Sequence, residues 1–208
     1  MAALTLTYAF LVVLAVQNAS GYFWGMYPNV PGGRRMVWHP VDTMLNLMPQ
    51  KIQGLWYSII WRSYPQVPHE EVLLDFAMNI TLGETGALAV TTKGKPNEKG
   101  ASCIDVNAFS KLEPTRVRGK YTIVQSYGTN TFKFADTDYA HYMVSSYCFN
   151  ETASGHCEME GVNIWGRTAE LTPQYLYRGM RIIDKMLCKS LSGFHFIRHT
   201  TGCHGQEN

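Results

Sequence analysis

From Ile52 onward the chain alternates between short apolar runs and clusters of turn residues. The runs cover 54–62, 71–82, 86–93, 102–110, 116–125, 130–135, 139–149 and 158–167, with the texture of strands buried on one face. Between them "GETG", "KGKPNEKG" and "YGTN" supply the glycine, proline and asparagine that tight connections need. Strands at this spacing predict an antiparallel meander closed into a barrel or folded into a sandwich.

After the last run the period changes. In "ELTPQYLYRGMRIIDKMLCKSLSG", Leu176, Met180, Ile183 and Leu187 recur at helical spacing. Thr172 stands at the N-cap, Pro173 takes the first helical position where its missing N–H costs nothing, and Gly193 follows the end. A single apolar stripe predicts a helix packed on the outside of the sheet. "FHFIRHTT" after it reads as a short ninth strand.

Ahead of the strands lie two segments of different character. Residues 1–20 contain "AALTLTYAFLVVLAV" followed by small residues, which predicts a signal peptide cleaved near Ser20. A retained anchor is the rival, but the apolar run falls short of the roughly twenty residues a spanning helix needs. Residues 21–44, rich in Gly and Pro, read as an extended N-terminal segment in which Arg34-Arg35 is a solvated basic pair or a processing site. Residues 45–205 then form one domain.

Composition adds three constraints. A net charge of +2 with no basic stripe argues against nucleic acid as a partner. Aromatic residues at 12% suit a protein that buries large flat surfaces, its own or a guest's. Cys103, Cys148, Cys157, Cys188 and Cys203 form an odd set, so in an oxidising compartment at least one thiol stays free or pairs with another molecule. Asn79-Ile-Thr and Asn150-Glu-Thr are glycan acceptors if exposed. The chain contains no Gly-x-Ser-x-Gly, no His-Glu-x-x-His and no Gly-rich phosphate loop, so no enzyme is expected. His195, His199, Cys203 and His204 lie close together, but a strand carrying two exposed histidines is the commoner reading than a metal site.

"GLW" (54–56), "TDY" (137–139) and "WGRTAEL", which ends the eighth run with Arg167, occur in an order and spacing that resemble the three signature regions of the lipocalins. "ETGALAVTTKGK", "DTDYAHYMVSSYC" and "HTTGCHG" resemble the retinol-carrying branch of that family. The resemblance implies an eight-stranded antiparallel up-and-down β-barrel with one C-terminal helix outside and a short ninth strand. It implies disulfides Cys148–Cys157 and Cys103–Cys203, and leaves Cys188 as a free thiol because residues 21–53 hold no cysteine to match it.

Gly54, Trp56, Thr137, Asp138, Tyr139 and Arg167 would then close the barrel rather than touch a ligand. Arg167 would stack on Trp56, and Gly54 would let the N-terminal segment pass close beneath. If the likeness sets the register, Met78, Ile80, Met143, Ser145, Tyr147, Asn163 and Trp165 line the interior, and Asn79 points out. Gly161 and Asn163 stand where the likeness implies large aromatics, which predicts a wider or more polar pocket and a buried amide in need of a partner from a guest or a water.

The implied function is a secreted carrier of a small hydrophobic molecule. The guest would be retinol-like, or a bilin, haem, steroid or lipid, held non-covalently and admitted by loops such as 63–71. A receptor or carrier protein at the open end is a further candidate partner. An extracellular interaction protein with a filled barrel is the alternative.

Overall fold

The structure is a computed structural model that describes residues 43–64, 72–106, 111–124, 130–152, 157, 159–187, 194–200 and 203. The predicted signal peptide, most of the predicted N-terminal segment, the greater part of loop 63–71, Cys188 and His204 lie outside these residues.

Among the described residues, ten strands and a long helix follow in order: β1 Gly54–Tyr64, β2 Leu74–Leu82, β3 Leu88–Lys95, β4 Ile104–Asp105, β5 Lys111–Pro114, β6 Lys120–Ile123, β7 Asn130–Thr137, β8 Tyr142–Phe149, β9 Met159–Gly166, α1 Pro173–Leu187 and β10 His195–Phe196. A 3-10 turn, Pro49–Lys51, precedes β1. The sheet order β1-β2-β3-β5-β6-β7-β8-β9 is antiparallel throughout and closes through β9 back onto β1. Eight strands therefore make the up-and-down barrel, with α1 packed outside and β4 and β10 as additions. Closure leaves every barrel strand a partner on each side, which removes the exposed edges of an open sheet.

Two strands differ most from the sequence pattern. The predicted strand 102–110 appears as β4, and β5 continues along the same neighbour β3. The predicted strand 116–125 shrinks to Lys120–Ile123, because Thr115–Gly119 form a turn. There the Thr115 hydroxyl meets the Val117 amide and the Lys120 carbonyl. A threonine able to bond its own backbone competes with the ladder, and here it wins. The ninth strand is two residues long.

Apolar side chains separate into two cores. One lies inside the barrel, with Trp56, Met78, Ile80, Leu88, Phe132, Phe134, Met143 and Trp165 among its members. The other lies between the barrel wall and α1, where Ile60, Tyr142, Val144, Val162 and Ile164 meet Ile183. Leu176 and Met180 of the predicted stripe flank this second core, and the Leu187 side chain lies outside the described residues. Gly179 explains how closely the helix sits: a Cβ there would lie 3.0 Å from Ile164 Cδ1. A mid-helix glycine costs about 1 kcal/mol in propensity, and close packing on β9 offsets it.

Disulfides join Cys148 to Cys157 and Cys103 to Cys203. The tail is held a second time by Asp75, whose carboxylate accepts from the Thr200 amide and hydroxyl, while the Asp75 amide donates to Arg198 O (3.0 Å).

Candidate functional site

At one end of the barrel, the Arg167 guanidinium lies 3.7 Å from the Trp56 ring centroid. Each edge of the guanidinium is engaged: Nη1 donates to Gln53 O (2.8 Å) and Leu55 O (3.2 Å), Nη2 to Lys51 O (3.0 Å) and Nε to Tyr139 O (3.1 Å). Burial lowers the Arg167 pKa from its ordinary value, so these carbonyls hold a partly desolvated cation in place. The indole donates to Ile52 O (2.7 Å). A desolvated cation–π contact of this kind contributes about 1–2 kcal/mol.

The Thr137-Asp138-Tyr139 turn packs beside this floor. Thr137 Oγ1 donates to Tyr142 O (2.6 Å) and accepts from the Tyr139 amide (2.8 Å). Asp138 Oδ1 accepts from the amides of Ala140, His141 and Tyr142, and Oδ2 meets His141 Nδ1 at 2.8 Å. Burial opposes the Asp138 charge, but the amides and His141 outweigh it and its pKa is lowered. Tyr139 adopts φ 68°, and its hydroxyl accepts from the Met48 amide (3.1 Å). Outside the floor a crevice of about 80 Å³ lies between His141, Arg167, Thr172 and Tyr175. Its walls are the turn and the start of α1.

Most of the N-terminal segment expected to pass Gly54 lies outside the described residues. Gly54 has φ +94° and a Cβ there would lie 3.2 Å from Arg167 Nη1, so its lack of a side chain serves the backbone turn and the guanidinium. Gly119 admits the described part of the incoming chain, for a Cβ there would stand 2.9 Å from Met44 O. Met44 meanwhile donates its amide to Phe134 O at 2.8 Å.

Above the floor the wall follows strand parity. Met78 and Ile80 face inward and are buried, while Asn79 between them is exposed. Met143, Ser145 and Tyr147 face inward on β8, and Gly161, Asn163 and Trp165 sit opposite them on β9. Asn150, the other sequon residue, is exposed at φ 53°.

Polar lining groups pair with each other: Trp165 Nε1 donates to Ser145 Oγ (2.8 Å), Trp61 Nε1 to Tyr147 Oη (3.1 Å) and Ser58 Oγ to Asn163 Oδ1 (2.7 Å). The Thr92 hydroxyl on β3, 3% exposed as a residue, has no hydrogen-bond partner.

One sequence expectation about this wall is overturned and another is narrowed. Gly161 does not widen the pocket, because a Cβ there would lie 2.3 Å from the Tyr147 ring, which occupies that space. The Asn163 carbonyl takes its proton from Ser58, so only the Nδ2 side of the amide keeps the expected need of a partner from outside the chain. Trp61 and Ser58 were not legible as lining residues. A register shift between Ser58 and Ile60 in β1 turns Ile60 outward and Trp61 inward, against simple alternation.

The outer wall carries buried charge. Arg62, Val162, Ser146, Lys133 and Lys120 form one row across five strands. Glu160, 8% exposed, lies among them, and burial pushes its pKa up to about 8 against the opposing pull of Lys133 and Arg62. Glu151 takes Lys120 Nζ at 3.1 Å and the Thr131 hydroxyl at 3.0 Å.

His195 and His199 are half-buried rather than exposed. His199 Nε2 lies 2.8 Å from Ser58 O, and the His195 ring lies 6.0 Å from Trp61. No group of metal-ligating side chains occurs among the described residues.

A sequence profile of the Lipocalin / cytosolic fatty-acid binding protein family matches residues 62–191. The chain belongs to this family, a class of β-barrels that bind small hydrophobic molecules. No curated protein shows significant sequence similarity to it. Among solved structures, apocrustacyanin C2 superposes with a TM-score of 0.55 at 15% identity, over 74% of this chain and 81% of that one. At that identity the likeness concerns the fold.

Proposed function

We propose that the protein is a secreted, non-catalytic carrier that holds one small apolar molecule inside the barrel. The carrying observation is the inner wall. Its indoles, hydroxyls and amide are turned sideways into one another, so that carbon surface lines most of the interior. Desolvation then drives uptake at about 25 cal/mol per Å² of apolar surface removed from water. Because Tyr147 occupies the space at Gly161 and Ser58 engages Asn163, this wall favours a slim guest of retinoid proportions over a haem or a bilin.

Two disulfides suit an oxidising compartment, and no described helix is long and apolar enough to cross a membrane. The exposed Asn79 and Asn150 are then glycan sites.

The test is a titration of delipidated full-length protein with retinoids, fatty acids and a steroid, followed by quenching of tryptophan fluorescence. Saturable one-to-one quenching at micromolar or tighter affinity is expected for the slim apolar probes. A barrel that takes up none of them, with the Phe76 and Trp165 rings (5.8 Å apart) closing its interior, would leave the interaction-protein alternative instead.

A further inference from the structure

We propose that Ser145 and Asn163 form a two-donor cradle for a carbonyl oxygen, so that the guest is an apolar ketone or aldehyde. The inference rests on the carrier reading and names the guest's polar group.

Ser145 and Asn163 are direct partners across β8 and β9, so their side chains stand side by side on the inner face. They are 1% and 3% exposed. Ser145 Oγ already accepts the Trp165 indole proton, and Asn163 Oδ1 already accepts the Ser58 proton. Neither residue has another side-chain hydrogen bond among the described residues. What remains is the Ser145 hydroxyl proton, the two protons on Asn163 Nδ2 and one lone pair on each oxygen. An unused donor in a low-dielectric interior is costlier and rarer than an unused second lone pair. The neighbouring pairs fix both groups in this orientation before a guest arrives, because Trp165 and Ser58 occupy the acceptor sides.

The chemistry that answers two adjacent donors is an oxygen with two lone pairs and no proton of its own. A carbonyl oxygen fits. An alcohol accepts as well but must also place its own proton, and the acceptors beside it are the second lone pairs of oxygens that already take the Trp165 and Ser58 protons. A carboxylate would need a cation, and the cations described near the barrel are engaged elsewhere. Arg62 and Lys133 stand in the outward-facing row, and Arg167 is held by carbonyls of the floor. The unpartnered Thr92 hydroxyl on β3 is a second sign that the interior accommodates a polar atom not supplied by the chain.

All-trans-retinal, all-trans-retinol and all-trans-retinoic acid share one carbon skeleton and differ in this group alone. Titrated into delipidated wild-type protein by fluorescence quenching, retinal is expected to bind about tenfold tighter than the other two, the return on one to two hydrogen bonds. Its carbonyl stretch in the infrared difference spectrum is expected below the frequency in hexane. Asn163→Leu is expected to remove the advantage and bring retinal to the affinity of retinol; should that variant not fold, the wild-type series and the infrared band decide.

Equal affinities for all three, or a carbonyl band at its hexane position or missing, overturn the cradle and leave the carrier standing. Uptake of none of the three overturns the carrier reading and the cradle with it.

Discussion

At the floor, Arg167 meets four backbone carbonyls and Asp138 receives three backbone amides, whereas on the inner wall Ser145 and Asn163 each have one side-chain partner and unused protons. Both regions bury polar atoms in a tight interior, yet only the floor satisfies its charged groups in full. Complete satisfaction makes a rigid seal, because any movement of the guanidinium breaks several bonds at once. Partial satisfaction leaves a wall that gains when something else enters. The difference separates residues that build the barrel from residues available to its guest.

The sharpest break in this comparison is Trp56→Ala. It empties a fully buried indole site and removes the surface on which Arg167 stacks, and a loss of about 3–5 kcal/mol in unfolding free energy is expected from urea denaturation. A loss below about 1 kcal/mol would mean the floor is not the seal described.

Gly161→Ala tests the wall. The added methyl meets the Tyr147 ring, so the ring must leave its seat and its contact with Trp61. A destabilisation of about 1–3 kcal/mol is expected, with a changed tryptophan emission reporting the lost Trp61–Tyr147 hydrogen bond. Unchanged emission and stability would show that Tyr147 does not occupy that position in solution.

The outer wall sharpens the comparison with the smallest effect. Glu160 has a folded-state pKa of about 8, above the unfolded value near 4.5, so the folded chain binds the extra proton between those limits. Its contribution is complete below pH 4.5 and is lost as pH rises through about 8. Between pH 5 and 6 the wild type is expected to lose at most about 1.4 kcal/mol relative to Glu160→Gln. Urea midpoints of the two proteins at pH 5, 6 and 7 measure the difference directly. Parallel midpoints would place Glu160 as an ordinary ion-paired carboxylate.

Much of this was written locally. The short runs specify strands, the stripe of Leu176, Met180 and Ile183 specifies the outer helix, and the spacing of Trp56, Thr137 and Arg167 marks the floor. Inward and outward positions on β2, β8 and β9 alternate with a period of two, and the resemblance to the lipocalins supplied the register that put Met78, Ile80, Ser145 and Asn163 on the inner face. Alternation fails where a strand bulges, and the shift after Ser58 hid Trp61 from such a reading.

What tertiary structure alone decided is the state of each buried polar group. Ser58 and Asn163 are 105 positions apart, and Tyr147 fills the notch at Gly161 only because closure sets β8 beside β9. A side chain's own pattern dictates which way it faces. Whether its hydrogen-bonding capacity is used up depends on partners that only the closed barrel brings within 3 Å, so the floor could be read along the chain and the guest's chemistry could not.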